Sequence, residues 1–364
     1  MNNTRNFLNE INNRILVIDG AMGTQLMERG IRPEECFDAI NIKKPEIVRA
    51  VHQAYIDAGA DIVETNTFGA NRLKLVDYHL EDKVSEINQA AARLARQAAG
   101  ENNFVCGSIG PLGKLIDPLG EVTFDMAYEA FAEQAKALEA GGVDVVSIET
   151  ISDLQEMRAA VIAVKQETKL PIIASLTYDE NEKTIYGTTP EVAIAVLEPL
   201  GIDIISANCS TGPDGMLIVA KQLLAVSRKP VMVMPNAGMP ELIDNKAVYK
   251  MTPKQFAAFA MKFVKLGVRI VGGCCGTTPE HIKAVKLQIT STKLQTISNI
   301  KSSNSTRFAS RTRVVEVSGR PLLVAERINP TGRPLFQTEL KNGQTRTLRQ
   351  EAEQQAKAGA DLSD

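Results

Sequence analysis

The chain lacks several things that would place it quickly. Its charge is nearly balanced, with Lys plus Arg 41 against Asp plus Glu 43 and a net charge of −2. No broad positive field is available to gather nucleic acid or an anionic membrane surface. No apolar run approaches the roughly 18 residues of a membrane-spanning helix. The opening residues MNNTRNFLNEINNR lack the basic flank and apolar core of a secretory signal. Five cysteines in 364 residues are too few for a disulfide framework, and their odd number suits free thiols in a reducing cytoplasm. The nucleotide-binding pattern GxGxxG is also missing, since DGAMGTQL has two glycines three apart.

What is present is a repeat of short β-branched runs. They begin at residues 15, 61, 104, 143, 171, 202, 230 and 268, and each ends near Gly, Asn, Ser or Thr. Each is almost continuously apolar, as expected of a strand covered on both faces in a parallel sheet. The stretches between them carry helical spacing and several close in Gly. Eight βα units over about 285 residues predict a (β/α)8 TIM barrel, whose usual size is about 250 residues. A doubly wound open sheet is the rival, disfavoured by strand number and by the absent fingerprint.

The composition then changes. Within residues 290–312, 13 of the 23 residues are Ser, Thr or Asn, and no acidic residue falls between Glu280 and Glu316. The predicted organisation is a barrel over 1–289, a solvated linker over 290–312, and the incomplete start of a second α/β domain over 313–364. In that last part VVEVSGRPLLV reads as two strands around an SGR turn, and LRQEAEQQAKAGADLSD as a helix closing at Gly359. KAGADLSD repeats the helix-to-strand junction seen in DAGADIVETN, so the chain is expected to stop inside the first units of that domain.

Catalytic groups of such barrels sit at the C-terminal ends of the strands. The polar or sulfur-bearing residues there are Asp19, Glu64, Asn66, Glu149, Cys209, Asn236, Cys274 and Cys275. Three of the five cysteines are among them, at the ends of strands six and eight, which one neighbour separates. Three thiolates converging there would make an open zinc (Zn2+) site whose fourth position is free for water or substrate. Gly272, Gly273 and Gly276 give the backbone around the Cys274–Cys275 pair freedom to aim both sulfurs inward. A soft, sulfur-rich site suits a thiol substrate, because the metal deprotonates the thiol without a general base. Cys106 reads as a core residue and Cys36 as inert; His281 lies just inside a helix opened by Thr278 and Pro279, where a helix-surface role outweighs metal ligation. Asp19 and Glu149 could take an ammonium group, while the turn N–H groups of Gly20, Ala21, Met22, Gly23 and Thr24 take a carboxylate; the bland alternative is that each acid caps a helix or pairs with a surface lysine.

DGAMGTQL at 19–26, ETNTFGAN at 64–71, GSIGP at 107–111, ANCSTGP at 207–213 and GGCCGTTPEHI at 272–282 together resemble the homocysteine S-methyltransferase family, in order, over about residues 10–290. The resemblance implies zinc on Cys209, Cys274 and Cys275, with the homocysteine sulfur as fourth ligand. It implies an amino-acid pocket at Asp19, Glu149 and residues 20–24, and gives Asn236 as a residue able to occupy the metal without substrate. VAERINPTGR at 324–333 resembles the opening of the pterin-binding barrel in the cobalamin-dependent branch, whose members add folate-binding and cobalamin-binding modules. That implies methylcobalamin, held by a module outside this chain, as methyl donor, with methionine as product. The alternatives are a stand-alone methyltransferase using S-methylmethionine or a betaine-like donor, a fusion of the barrel to a folate reductase, and a non-catalytic zinc- or thiol-binding module.

Overall fold

The computed structural model describes residues 4–243, 246–292, 306–317, 322–325 and 328–362. Two compact units divide the chain, Met1–Ser302 and Ser303–Asp364.

The first unit is the expected barrel. Its strands are β1 (Leu16–Val17), β2 (Ile62–Glu64), β3 (Phe104–Ile109), β4 (Val145–Ile151), β5 (Ile172–Leu176), β6 (Ile204–Asn208), β7 (Val231–Met234) and β10 (Ile270–Val271). They pair in parallel in the order β1-β10-β7-β6-β5-β4-β3-β2, and a parallel bridge between Ile18 and Ile62 closes the ring. All eight apolar runs therefore became strands, each covered by helices on its outer face. Between β7 and β10 the chain inserts an antiparallel hairpin, β8 (Glu241–Ile243) and β9 (Lys246–Val248). The sequence reading had no element there, although the long spacing between those two runs left room for one.

Helix boundaries follow local chemistry. Three helices begin with Thr–Pro: Thr189 before Pro190–Leu200, Thr252 before Pro253–Leu266, and Thr278 before Pro279–Ser291. Proline presets the first helical turn, and the Thr189 and Thr252 hydroxyls accept an otherwise unpaired helix N–H. Gly142, Gly201 and Gly267 end three helices in the left-handed conformation, at φ 90°, 88° and 114°.

Period-2 alternation divides the barrel interior into layers. Leu16, Ile62, Phe104, Val145, Ile173, Ile204 and Ile270 form one apolar cluster that Phe7 and Ile11 of the helix Thr4–Asn13 join. Phe7 meets Phe104, the first residue of β3, edge to face with ring centroids 5.1 Å apart, so this helix plugs the N-terminal mouth. Burial of Phe7 and Ile11 contributes about 1.5–3 kcal/mol each. Two residues further along the same faces stand Glu64 and Cys106, then Ser108 and Glu149. The apolar floor thus gives way to a polar, acidic ceiling at the C-terminal mouth.

The second unit differs in detail from the sequence reading. β12 (Val314–Glu316) is present, but its antiparallel partner is β11 (Arg307–Ala309), inside the segment read as linker. The SGR turn lies outside the described residues. The boundary at 289 falls within the helix Pro279–Ser291. Helices Pro334–Lys341 and Arg346–Lys357 follow, Gly359 has φ 92°, and a parallel bridge joins Val324 to Leu362. Among the described residues no helix is long and apolar enough to cross a membrane.

Candidate metal centre and amino-acid pocket

Cys209 follows β6 directly, while Cys274 and Cys275 lie three and four residues beyond β10. β7 alone separates these strands in the ring. The three Sγ atoms lie within 4.8 Å of one another, with Cys209 and Cys275 at 4.0 Å. A tetrahedral zinc with Zn–S near 2.3 Å holds its sulfurs about 3.8 Å apart, so the donor set fits such an ion after small side-chain movements. The sulfurs share hydrogen bonds. Contacts from Cys209 and Cys274 pull the Cys275 thiol far down, and the same sharing pushes Cys274 up.

The backbone is held tightly around these sulfurs. Cys209 and Ser210 sit at φ 59° and 57°, a left-handed conformation costly for non-glycine residues. The Cys209 N–H donates to the Met234 carbonyl at 3.0 Å. On the other side, Cys274 N–H donates to Pro235 O at 2.8 Å and Cys275 N–H to Asn236 Oδ1 at 3.1 Å. Of the three glycines flanking the cysteine pair only Gly276 has a positive φ, 77°. Gly272 and Gly273 are needed for close approach instead: a Cβ would fall 2.3 Å from Ile18 Cγ2 and 2.2 Å from Thr277 Cγ2.

A cavity of about 1210 Å³ opens over the sulfurs. Every predicted residue from Asp19 to Thr24 lines it, as do Glu149 and the three cysteines. Asn236 is 4% exposed, outside the cavity lining, and supports the Cys275 backbone from behind. His281 is buried, not on the helix surface: its ring accepts the Thr278 N–H at 3.2 Å and meets Met251 O at 2.8 Å. Cys106 is core, as expected, and Cys36 is buried at 5% exposure beside Asp38.

Glu149 accepts from the Ser108 hydroxyl and from Asn208 Nδ2 at 3.3 Å. Burial lifts its carboxyl to about 7 against the lowering effect of Ser108, with Cys209 adding to the rise. Burial likewise holds Asp19 well above the usual carboxylate range. Asp19 Oδ2 accepts the Glu64 N–H at 3.0 Å, whereas its buried Oδ1 has no hydrogen-bond partner.

Sequence reasoning missed three supporting residues. Asn208, fully buried, joins the two halves of the site: its Oδ1 accepts from Thr150 N–H and the Ser175 hydroxyl, and its Nδ2 faces Thr150 Oγ1, Glu149 and, at 4.0 Å, Cys274 Sγ. Tyr55 donates its hydroxyl between Ala21 O at 2.9 Å and Thr277 O at 3.1 Å. Tyr249, just beyond β9, packs over Gly276, where a Cβ would lie 2.1 Å from its ring. Asn208 adjoins a candidate ligand at a strand end, so its position alone could have flagged it; the others had no local signal.

These features define a (β/α)8 barrel with a cluster of three cysteines, able to hold a metal ion, beside an acidic pocket. The chain belongs to the homocysteine S-methyltransferase family, whose model matches residues 16–289. It is similar to the metallated form of the homocysteine methyltransferase MmuM from Escherichia coli, at 25% identity and TM-score 0.67, over 79% of this chain and all of that one. Among curated proteins it is 33% identical to the methionine synthase of Mycobacterium leprae, over 96% of this chain and 31% of that protein. It is 36% identical to the methionine synthase of Mycobacterium tuberculosis, over 79% of this chain and 25% of that protein. The chain thus spans about a third or less of these relatives' lengths.

Proposed function

We propose that this chain is the homocysteine-binding module of a methionine synthase, and that it presents homocysteine as a thiolate for methylation. The observation that carries the reading is the convergence of Cys209, Cys274 and Cys275 within 4.8 Å on the wall of a cavity that also holds Asp19, Glu149 and the turn from Gly20 to Thr24. Zinc held by the three cysteines would supply a Lewis acid that takes the homocysteine sulfur as thiolate at neutral pH.

The protein's own residues do the rest. Asp19 and Glu149 offer acceptors to the α-ammonium, and the turn N–H groups offer donors to the α-carboxylate. Asn208 fixes Glu149 relative to Cys274, so amino-acid recognition and sulfur placement share one rigid frame; such positioning is worth several kcal/mol in a transfer reaction. The cavity exceeds the usual 300–1,000 Å³ of small-molecule sites, leaving room above the sulfur for a methyl donor. We assign that donor as methylcobalamin, delivered by a module outside this chain, with residues 313–364 as the start of a pterin-binding domain; VAERINPTGR supports this.

Calorimetry of homocysteine binding in two buffers of different ionisation enthalpy tests the first part. Binding with release of about one proton near pH 7 is expected, because the thiol enters as thiolate; zero release would show that the sulfur does not reach the metal. Methionine formation with added methylcobalamin, S-methylmethionine or betaine then identifies the donor, and failure with methylcobalamin alongside turnover with another donor would overturn that assignment.

A further inference from the structure

Asn66, two residues beyond β2, is 6% exposed and lines the same cavity as Asp19 and Glu149. Its side-chain amide can point only one way. Asn41 Nδ2 lies 2.7 Å from both Asp38 O and Asn66 O. Backbone carbonyls only accept, so that atom is the donor and Asn41 Oδ1 is an acceptor. Asn66 Nδ2 in turn lies 2.7 Å from Phe37 O and 3.2 Å from Asn41 Oδ1, which uses both of its hydrogens. Among the described residues no donor reaches Asn66 Oδ1. A nearly buried amide with both N–H groups spent and its carbonyl oxygen unmet on a cavity wall is left to accept a hydrogen bond from what enters the cavity.

We infer that Asn66 is a further substrate-binding residue, whose side-chain carbonyl accepts one N–H of the amino acid's α-ammonium. The inference rests on the homocysteine reading above and adds a recognition group to it. Two links tie Asn66 to the amino-acid end of the cavity. On one side, the Phe37 ring covers the turn that offers N–H groups to the carboxylate: a Cβ on Gly23 would fall 3.3 Å from Phe37 Cε2. On the other, Thr65 Oγ1 accepts the Ser108 N–H at 3.0 Å, and the Ser108 hydroxyl donates to Glu149. The chemistry of the ligand then selects the group. An unmet carbonyl oxygen needs a donor. The carboxylate of homocysteine has none, and its thiol proton leaves when the sulfur reaches the metal. Only the three ammonium N–H groups remain. Asp19 and Glu149 offer acceptors to two of them, and Asn66 offers a neutral third.

The test measures binding of homocysteine and of γ-mercaptobutyrate, the same thiol acid without its amino group, to the zinc-loaded full chain and to its N66A and N66S variants. Both thiols use the metal and the carboxylate-binding turn, so damage to either cancels in the ratio of the two affinities. The wild type should prefer homocysteine. N66A should cut that preference about tenfold, the worth of one hydrogen bond to a charged group. N66S, which keeps a small polar side chain, reports the same ratio should the alanine variant fold poorly. A preference changed by less than about threefold in both variants, whether the two thiols lose affinity together or neither does, would overturn the assignment and leave Asn66 as a brace for the Phe37 segment. That outcome would leave the homocysteine reading intact, whereas a wild type that binds neither thiol would overturn both.

Discussion

His52 provides a quantitative test of how the barrel is held together. It lies in the helix Pro45–Asp57, one turn before Tyr55, whose hydroxyl braces the Ala21 and Thr277 segments of the site. The imidazole is fully buried and neither ring nitrogen has a hydrogen-bond partner. Burial lowers its pKa to about 4, against about 6.5 in an unfolded chain. As pH falls, the unfolded chain takes up the proton first. The stability contribution is therefore complete above pH about 6.5 and is lost as pH falls toward 4. Between pH 7.5 and pH 5 the loss is about 2 kcal/mol. A His52→Leu variant removes the titration and keeps an apolar side chain of similar size. Urea unfolding followed by far-UV circular dichroism should show the variant gaining about 2 kcal/mol on the wild type between those two pH values. Asp38, Glu149 and Glu156 have carboxyls raised to about 6, 7 and 7 and shift stability the opposite way, but they are common to both proteins and cancel in the difference. Parallel pH profiles for the two proteins would refute the argument.

Three further outcomes follow from the geometry. Cys209→Ala should leave a two-sulfur site that loses zinc to a mild chelator, and stoichiometric zinc after dialysis would count against the three-thiolate centre. Asp61 takes Arg14 at 2.8 Å, Lys286 at 2.7 Å and the Val17 N–H at 2.9 Å, so Asp61→Asn should cost about 3 kcal/mol in denaturant unfolding; a loss below about 0.5 kcal/mol would mean that these cations find water instead. Gly276→Ala places a methyl group 2.1 Å from the Tyr249 ring at a φ of 77°, and should weaken metal retention with little change in far-UV dichroism; unchanged retention would show that Tyr249 simply moves away.

Much of this was legible in the chain. The eight strands stood out because a strand buried on both faces must be continuously apolar, as in PIIASLTY and PVMVMPN. The convergence of Cys209, Cys274 and Cys275 was legible because the ends of strands six and eight, with one neighbour between them, can meet at one point. What escaped was long-range or shape-dependent. The pairing of β11 with β12 puts a strand in a segment whose composition reads as solvated linker. Gly272 and Gly273 were read as freedom to bend, but Ile18 and Thr277 fill the space a side chain would need, which only the folded packing reveals. His281 was read as a surface residue because Thr278 and Pro279 mark a helix start; its burial comes from Phe256, 5.6 Å away between ring centroids, on a neighbouring helix.

The lengths of the barrel strands carry a consequence for dynamics. β3 to β6 have five to seven residues each, whereas β1 and β10 have two and β2 has three. The thin arc is closed by a few backbone bonds, among them Asp19 N–H to Ile62 O and Gly273 N–H to Asp19 O, at 3.0 and 3.1 Å. Asp19, Glu64, Cys274 and Cys275 all ride on that arc. In native-state hydrogen exchange its amides should open well before those of β3 to β6, because local opening costs least where the ladder is shortest. A ligand that bridges Cys209 to the cysteine pair binds only the closed arc, so at a hundredfold excess over its dissociation constant it should slow exchange there by the equivalent of about 2.7 kcal/mol. Ligand loading and the final closure of the barrel are then the same equilibrium.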